Sequence, residues 1–151
     1  MLALLLLAVV WASAPAPTLV LTDGRTGVPV ARLPISGTVT MRYVHSFIHQ
    51  PAAEVFAAEP SGLRLVRLAS PSEAVLEYYA RPEPIRPAGE VFAIDIADEP
   101  ARPLTALASA VGRRTVESGG RAIALHDLVP HGTPVRFSVE MRPRLVNLLE
   151  R

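Results

Sequence analysis

Short stretches in which apolar and polar side chains alternate recur along this chain, and residues that favour turns separate them. In the clearest stretch, residues 134–141, every second residue from Val135 to Met141 is apolar and those between are polar or charged. An alternation of period two is typical of a β-strand with one buried face. Similar alternation, or an apolar run between turn residues, predicts further strands at 18–22, 28–33, 38–43, 54–58, 63–69, 74–80, 92–96, 114–117 and 121–125.

The number and spacing of these strands predict an all-β fold. Many short strands without a convincing long helix are typical of antiparallel sandwiches and barrels. With 151 residues, of which 50% are hydrophobic and 19% charged, the chain is sized for one domain. We expect a single antiparallel β-sandwich or partly open barrel of about nine short strands over residues 17–143, with a hydrophobic leader at 1–16 and a short tail at 144–151. The run at 104–111 stays open between helix and strand, because it is rich in Ala yet lies among strands.

Turn chemistry predicts two hairpins and one edge strand. Residues 23–27 read Asp-Gly-Arg-Thr-Gly and should join the first two strands. Residues 118–120 read Ser-Gly-Gly, and glycine readily supplies the positive φ that a tight hairpin needs. Pro29 and Pro34 cannot donate ladder hydrogen bonds, so the second strand should lie at a sheet edge.

The chain begins with an uninterrupted apolar run at residues 2–10, which a small-residue and proline stretch follows at 11–17. This order resembles the hydrophobic and cleavage regions of a signal peptide. The run is shorter than the roughly 20 apolar residues of a membrane-spanning helix. No Lys or Arg precedes it, and cleavage after Ala12 would avoid a proline directly beyond the cleaved bond. We expect a periplasmic or other extracytoplasmic protein; an uncleaved anchor and a buried first strand are the alternatives.

Several classes of function are excluded or disfavoured by what the sequence lacks. It has no Cys, which removes thiol catalysis, Cys-ligated zinc and iron–sulfur chemistry, and no Lys, which removes a Schiff-base lysine. Its 15 basic residues are all Arg, scattered singly apart from the pair Arg113 and Arg114, and aromatic residues make up 5% of the chain. Nucleic-acid binding needs a basic stripe with stacking residues, so we do not expect it. We predict no cofactor.

The segment 42–56 carries polar residues where plain alternation should bury apolar ones. Continuing the strand at 38–43 places His45 on the apolar face and Ser46 on the face of Arg42. Glu54 lies within an apolar strand, where an inward carboxylate needs a partner such as Arg42 or His45. We therefore select Arg42, His45, Ser46 and Glu54 as one polar cluster that organises the fold or contacts a ligand or partner.

His45 has two interpretations that the sequence leaves open. It is either a core histidine, bonded to backbone and to a neighbour such as Glu54, or a group that contacts a ligand or partner. A metal site is not expected, because His45 and His49 would lie roughly 13 Å apart on an extended strand, and only a bulge or tight turn before Pro51 would bring them together. Ser46 and His45 face opposite ways on a strand, so we assign no catalytic residue.

Two sequence blocks resemble the domain of unknown function family 1850, small extracytoplasmic proteins encoded beside TAXI-type TRAP transporters. The blocks are Arg-Tyr-Val-His-Ser at 42–46 with Pro51 and Glu-Val-Phe at 54–56, and Gly-Gly-Arg at 119–121 with Leu-His-Asp-Leu-Val-Pro at 125–130 and Gly-Thr-Pro-Val at 132–135. One departure is the segment 70–79, which stands where the family has a Phe- and Gly-rich stretch. The resemblance implies genomic context and no established reaction.

From the resemblance we expect a non-enzymatic accessory or binding protein of a TAXI-type TRAP uptake system. Its partners would be the solute-binding protein or the membrane subunits, with membrane contact only through an uncleaved leader. The alternatives are a periplasmic small-molecule or metal-binding module, and a hydrolase-like enzyme that uses His45 as general base with Glu54 orienting it.

Overall fold

Eleven strands and two short helices form the part of the chain that the computed structural model describes, residues 13–144. The helices are α1 (Glu73–Glu77) and α2 (Leu125–Leu128). The strands are β1 (Pro15–Asp23), β2 (Pro29–Pro34), β3 (Thr38–Val44), β4 (Pro51–Glu59), β5 (Gly62–Ser70), β6 (Arg86–Ala88), β7 (Val91–Asp95), β8 (Leu104–Leu107), β9 (Thr115–Ser118), β10 (Arg121–Ala124) and β11 (Pro134–Pro143). The predicted leader up to residue 12 and the tail from residue 145 lie outside the described residues.

The strands form two antiparallel sheets. The small sheet has the order β2-β1-β11-β8, and the large sheet has the order β10-β9-β3-β4-β5-β7-β6. Within residues 13–144 neither sheet closes into a barrel. The predicted all-β antiparallel sandwich is confirmed, with eleven strands rather than about nine.

The inner faces of the two sheets share one apolar core. Leu19, Leu21 and Phe137 point into it from the small sheet, and Val39 and Phe56 from the large sheet. The two faces bury each other because strands such as β3 and β11 place apolar residues at alternate positions on the inner side. No helix within residues 13–144 is long and apolar enough to cross a bilayer.

A second, smaller core lies where the large sheet extends beyond the small one. There α1 packs on β5 and β7, and Leu76 of the helix meets Leu68, Ile94 and Ile96 of the sheet. A helix thus replaces the small sheet as the cover of this half of the large sheet.

The predicted hairpins are confirmed. β1 pairs with β2, which lies at the edge of the small sheet, and β9 pairs with β10 across Gly119 and Gly120, whose φ angles are +56° and +77°. The undecided run at 104–111 is a strand, β8, over its first four residues.

The prediction of a strand at 74–80 is wrong, because this segment contains α1. Its buried residues are adjacent, Val75 at 0% and Leu76 at 1% exposure, whereas a half-buried strand would bury alternate residues. Ala, Leu and Glu also favour helix, and Glu73 places an acidic group in the first turn, where the helix dipole favours it.

Candidate functional site

A cavity of about 570 Å³ opens at the end of the sandwich where β3 and β8 terminate. We call it the end cavity. Its polar and aromatic lining includes Tyr43, His45, Ser46, Tyr78, Tyr79 and Arg114. Two of the four residues selected from the sequence, His45 and Ser46, therefore lie at this cavity.

His45 holds together the tight loop that joins β3 to β4. Its backbone N–H donates to the carbonyl of Gln50 at 2.9 Å, and its carbonyl accepts from the N–H of His49 at 2.8 Å. Its ring Nδ1 accepts a hydrogen bond from the backbone N–H of Ile48 at 3.2 Å. The side chain is 7% exposed, as the alternation predicted, and its ring meets the edge of Tyr78 at a centroid distance of 4.7 Å. The loop explains why a polar ring is buried here, because its Nδ1 has a backbone partner.

Ser46 and Arg42 lie apart from each other. Ser46 is exposed in the loop that follows β3 and lines the end cavity. Arg42 points to the outer face of the large sheet, where its Nε lies 2.8 Å from Oε1 of Glu117 on β9. The structure therefore separates Arg42 from the predicted cluster.

Glu54 lies on the inner face, opposite Met41 in the β3–β4 pairing. Its Oε1 accepts hydrogen bonds from the hydroxyls of Tyr43 at 2.8 Å and Tyr79 at 3.1 Å. We call these three residues the Glu54 cluster. The sequence predicted Arg42 or His45 as the partner of the Glu54 carboxylate. In the structure its partners are two tyrosines.

Burial sets the electrostatics of the Glu54 cluster. It raises the pKa of Glu54 above its usual value, while the nearby positive charge of Arg114 acts in the opposite direction. Burial also raises the pKa of Tyr79 to about 12, again opposed by Arg114. Tyr79 thus remains a protonated donor to Glu54 at physiological pH.

Arg114 is a site residue that the sequence reasoning missed. Its guanidinium carbon lies 5.4 Å from the centre of the Tyr43 ring, and its Nη1 donates to the carbonyl of Leu107 at 3.2 Å. The signal was present, because Arg114 precedes the buried Val116 by two positions and therefore shares its inward face. Tyr79 was missed because its segment was assigned to a strand.

The residues of the predicted catalytic and metal-binding alternatives do not come together in the structure. Among residues 13–144 no hydrogen bond joins His45 to Glu54 or to Ser46, so the proposed base and its orienting carboxylate do not form a pair. In the same part of the chain no three His, Asp or Glu side chains gather as a metal-ligand group. The end cavity instead offers aromatic walls with a few hydroxyls and one guanidinium.

Comparisons of the chain with protein-family models, with curated proteins and with solved structures find no match. The resemblance to family 1850 accordingly stays a prediction, and the site is interpreted from its own residues.

Proposed function

We propose that this protein is an exported, non-enzymatic binding component that holds a small molecule in the end cavity and works beside a TAXI-type TRAP uptake system. The end cavity is the observation that carries the binding role. The transport context rests on the resemblance to family 1850.

The size and lining of the cavity support small-molecule binding. Ligand pockets commonly measure about 300–1,000 Å³, with mostly apolar walls and a few convergent polar groups. The end cavity has a volume of about 570 Å³, and Tyr78, Leu107 and Val111 supply apolar surface beside the hydroxyls of Ser46 and Ser109.

The position of the cavity supports contact with a partner on the side of the protein that faces away from the membrane. The described chain enters and leaves at one end of the small sheet, where the Arg144 N–H donates to the carbonyl of Ala14 at 3.1 Å. Leu107 of the cavity lies at the other end, beside Pro134 in the β8–β11 pairing. The length of β1 separates the two ends by roughly 25 Å. An anchored leader would thus leave the cavity facing away from the bilayer.

The binding role is tested by thermal unfolding of the purified protein with a panel of small acids, amines, amino acids and sugars. We expect at least one compound to raise the melting temperature, because a ligand that binds only the folded state stabilises it. Ser46→Trp should abolish that rise by filling the cavity mouth. Ser36→Trp, at another exposed serine outside the end cavity, is the matched control and should preserve the rise. If no compound stabilises the wild type, or both variants respond alike, the proposal fails.

The partner role is tested at the exposed rim of the cavity. Phe47 and Tyr78 are 78% and 65% exposed and stack with ring centres 6.5 Å apart. If the co-encoded solute-binding protein docks here, Phe47→Ser should weaken the complex at least tenfold in a surface-immobilised binding assay. Met141→Ser removes another exposed apolar side chain, 59% exposed, toward the end of β11 that is far from the cavity, and should leave binding unchanged. Equal effects of both variants would place the partner elsewhere.

A further inference from the structure

The charge of the end cavity comes from one residue. Arg114 is the only Arg among the described residues that line it, and no Asp or Glu lines it. Glu54 lies behind the hydroxyls of Tyr43 and Tyr79 and does not line the cavity. Among the described residues, the guanidinium of Arg114 is therefore the charged group that a ligand in the cavity meets directly.

The half-buried arginines of residues 13–144 fall into two groups, with and without a salt bridge, and Arg114 belongs with Arg32 and Arg121 in the second. Arg64 and Arg81 each form a salt bridge with a glutamate, at 2.6 and 3.1 Å. Within residues 13–144, Arg114 has no carboxylate within salt-bridge distance, and its single hydrogen bond runs from Nη1 to a backbone carbonyl. Its Nε is buried without a hydrogen-bond partner in the same part of the chain. Arg114 is set apart from Arg32 and Arg121 by its place, because it lines the end cavity, where its guanidinium can meet an anion.

The walls around Arg114 are apolar. The guanidinium lies over the Tyr43 ring at a distance that allows a cation–π contact. Leu107, Val111 and Tyr78 are 53%, 73% and 65% exposed, although large apolar side chains gain free energy when they are covered. The cavity therefore combines one cation, placed over the Tyr43 ring, with exposed hydrocarbon surface.

We propose that the ligand of the end cavity is a small monocarboxylic acid with an apolar or aromatic body, whose carboxylate pairs with Arg114 while its body covers Leu107, Val111 and Tyr78. This inference rests on the proposed binding function and assigns the class of ligand. Guanidinium groups bind carboxylates in a planar, two-point geometry, which gives the site its selectivity for acids over neutral analogues.

The test is calorimetric titration of the full chain with three acids and their neutral amides. The probes are phenylacetate, 3-phenylpropionate and hexanoate, each beside its carboxamide. We expect at least one acid to bind at least tenfold more tightly than its amide. Arg114→Gln should reduce the affinity for that acid at least tenfold and leave the affinity for the amide unchanged. Arg113→Gln is the matched control, because it removes the same charge from an exposed neighbour outside the cavity and should not alter binding.

The outcomes separate the ligand class from the binding function. Equal affinity for acids and amides, no binding of any of the three acids, or equal losses in both arginine variants overturns the carboxylate assignment. Stabilisation by amines or sugars in the thermal panel would then leave the binding function standing. If Arg114→Gln does not fold, the acid-against-amide comparison on the wild type decides alone.

Discussion

The two halves of the large sheet are covered in different ways. Over β3, β9 and the adjoining part of β4, the small sheet supplies the cover, and the core contains fully buried residues such as Leu19 and Phe137. Over the end of β5 and over β7 the cover is α1, a helix of five residues, whereas Leu63 at the start of β5 belongs to the shared core and β11 contacts β5. The first half buries its strands between matched faces, whereas the second depends on a single short element.

Glu54 lies at the seam between these halves. It pairs with Met41 of the first core on one side and with Leu68 of the second core on the other. Tyr43 from the first half and Tyr79 from the second donate to its Oε1. The Glu54 cluster therefore lies where one cover ends and the other begins, and the end cavity opens beside it, since Tyr43 and Tyr79 also line the cavity.

The largest effect should come from the two-sheet half. Phe137→Ala removes a side chain that is 2% exposed at the centre of the shared core, and such truncations cost about 3–5 kcal/mol. Urea unfolding measures this loss. Met141→Ala, on the same face of β11 but 59% exposed, is the control and should change stability by no more than about 0.5 kcal/mol. Similar losses in both variants would show that the small sheet does not cover the core as described.

The helix-covered half should respond less and more locally. Leu76→Ala should cost about 2–3 kcal/mol, near the lower end for buried leucines, because a five-residue helix can settle into the space. Amide hydrogen exchange should accelerate in α1 and β7 while β1 and β11 keep their protection. Glu77→Ala, exposed on the same helix, is the control. Exchange that accelerates equally in both sheets would mean that the two halves unfold as one unit.

A matched pair of glycines tests how closely the β9–β10 turn approaches the small sheet. Both adopt positive φ, but a Cβ on Gly119 would lie 2.4 Å from the carbonyl oxygen of Pro34 on β2, whereas a Cβ on Gly120 would meet nothing within 4 Å. Gly120→Ala should cost about 1 kcal/mol for its backbone conformation. Gly119→Ala should cost about 1–3 kcal/mol more because of the clash. Equal melting temperatures for the two variants would contradict the close contact.

The stability of the folded protein should depend modestly on pH through Glu54 at the seam. Because burial raises the pKa of Glu54, the folded state holds this proton more tightly than the unfolded state. The stability from Glu54 is therefore fully present below its unfolded pKa and is lost as pH rises through its folded pKa. Relative to Glu54→Gln, which does not titrate, the wild type should become progressively less stable as pH rises from 4 toward neutrality. Parallel stability curves for the two proteins would contradict the buried environment of Glu54.

The sequence predicted the two-sheet half well because alternation reports directly on burial between matched faces. Strands β1, β3, β9 and β11, the hairpin turns and the inward position of His45 all follow from it. The helix-covered half was harder, because α1 is too short to show a helical period and its segment was predicted as a strand. The partners of Glu54 could not be derived, since Tyr79 reaches it only through the path of the chain after α1. Arg114 could have been predicted to point inward, because it lies two positions before the buried Val116 and residues two apart on a strand face the same way.

We propose that the end cavity, beside the seam, is the binding surface of this protein. The most direct test is the amide NMR spectrum of the full chain during titration with the compound that raises its melting temperature most in the thermal panel. We predict that the largest shifts fall in the loop at 45–50 and in residues 107–114 and 131–132, which surround the end cavity. Shifts concentrated in residues 119–122 on another face of the large sheet, or a spectrum that does not change, would contradict the claim.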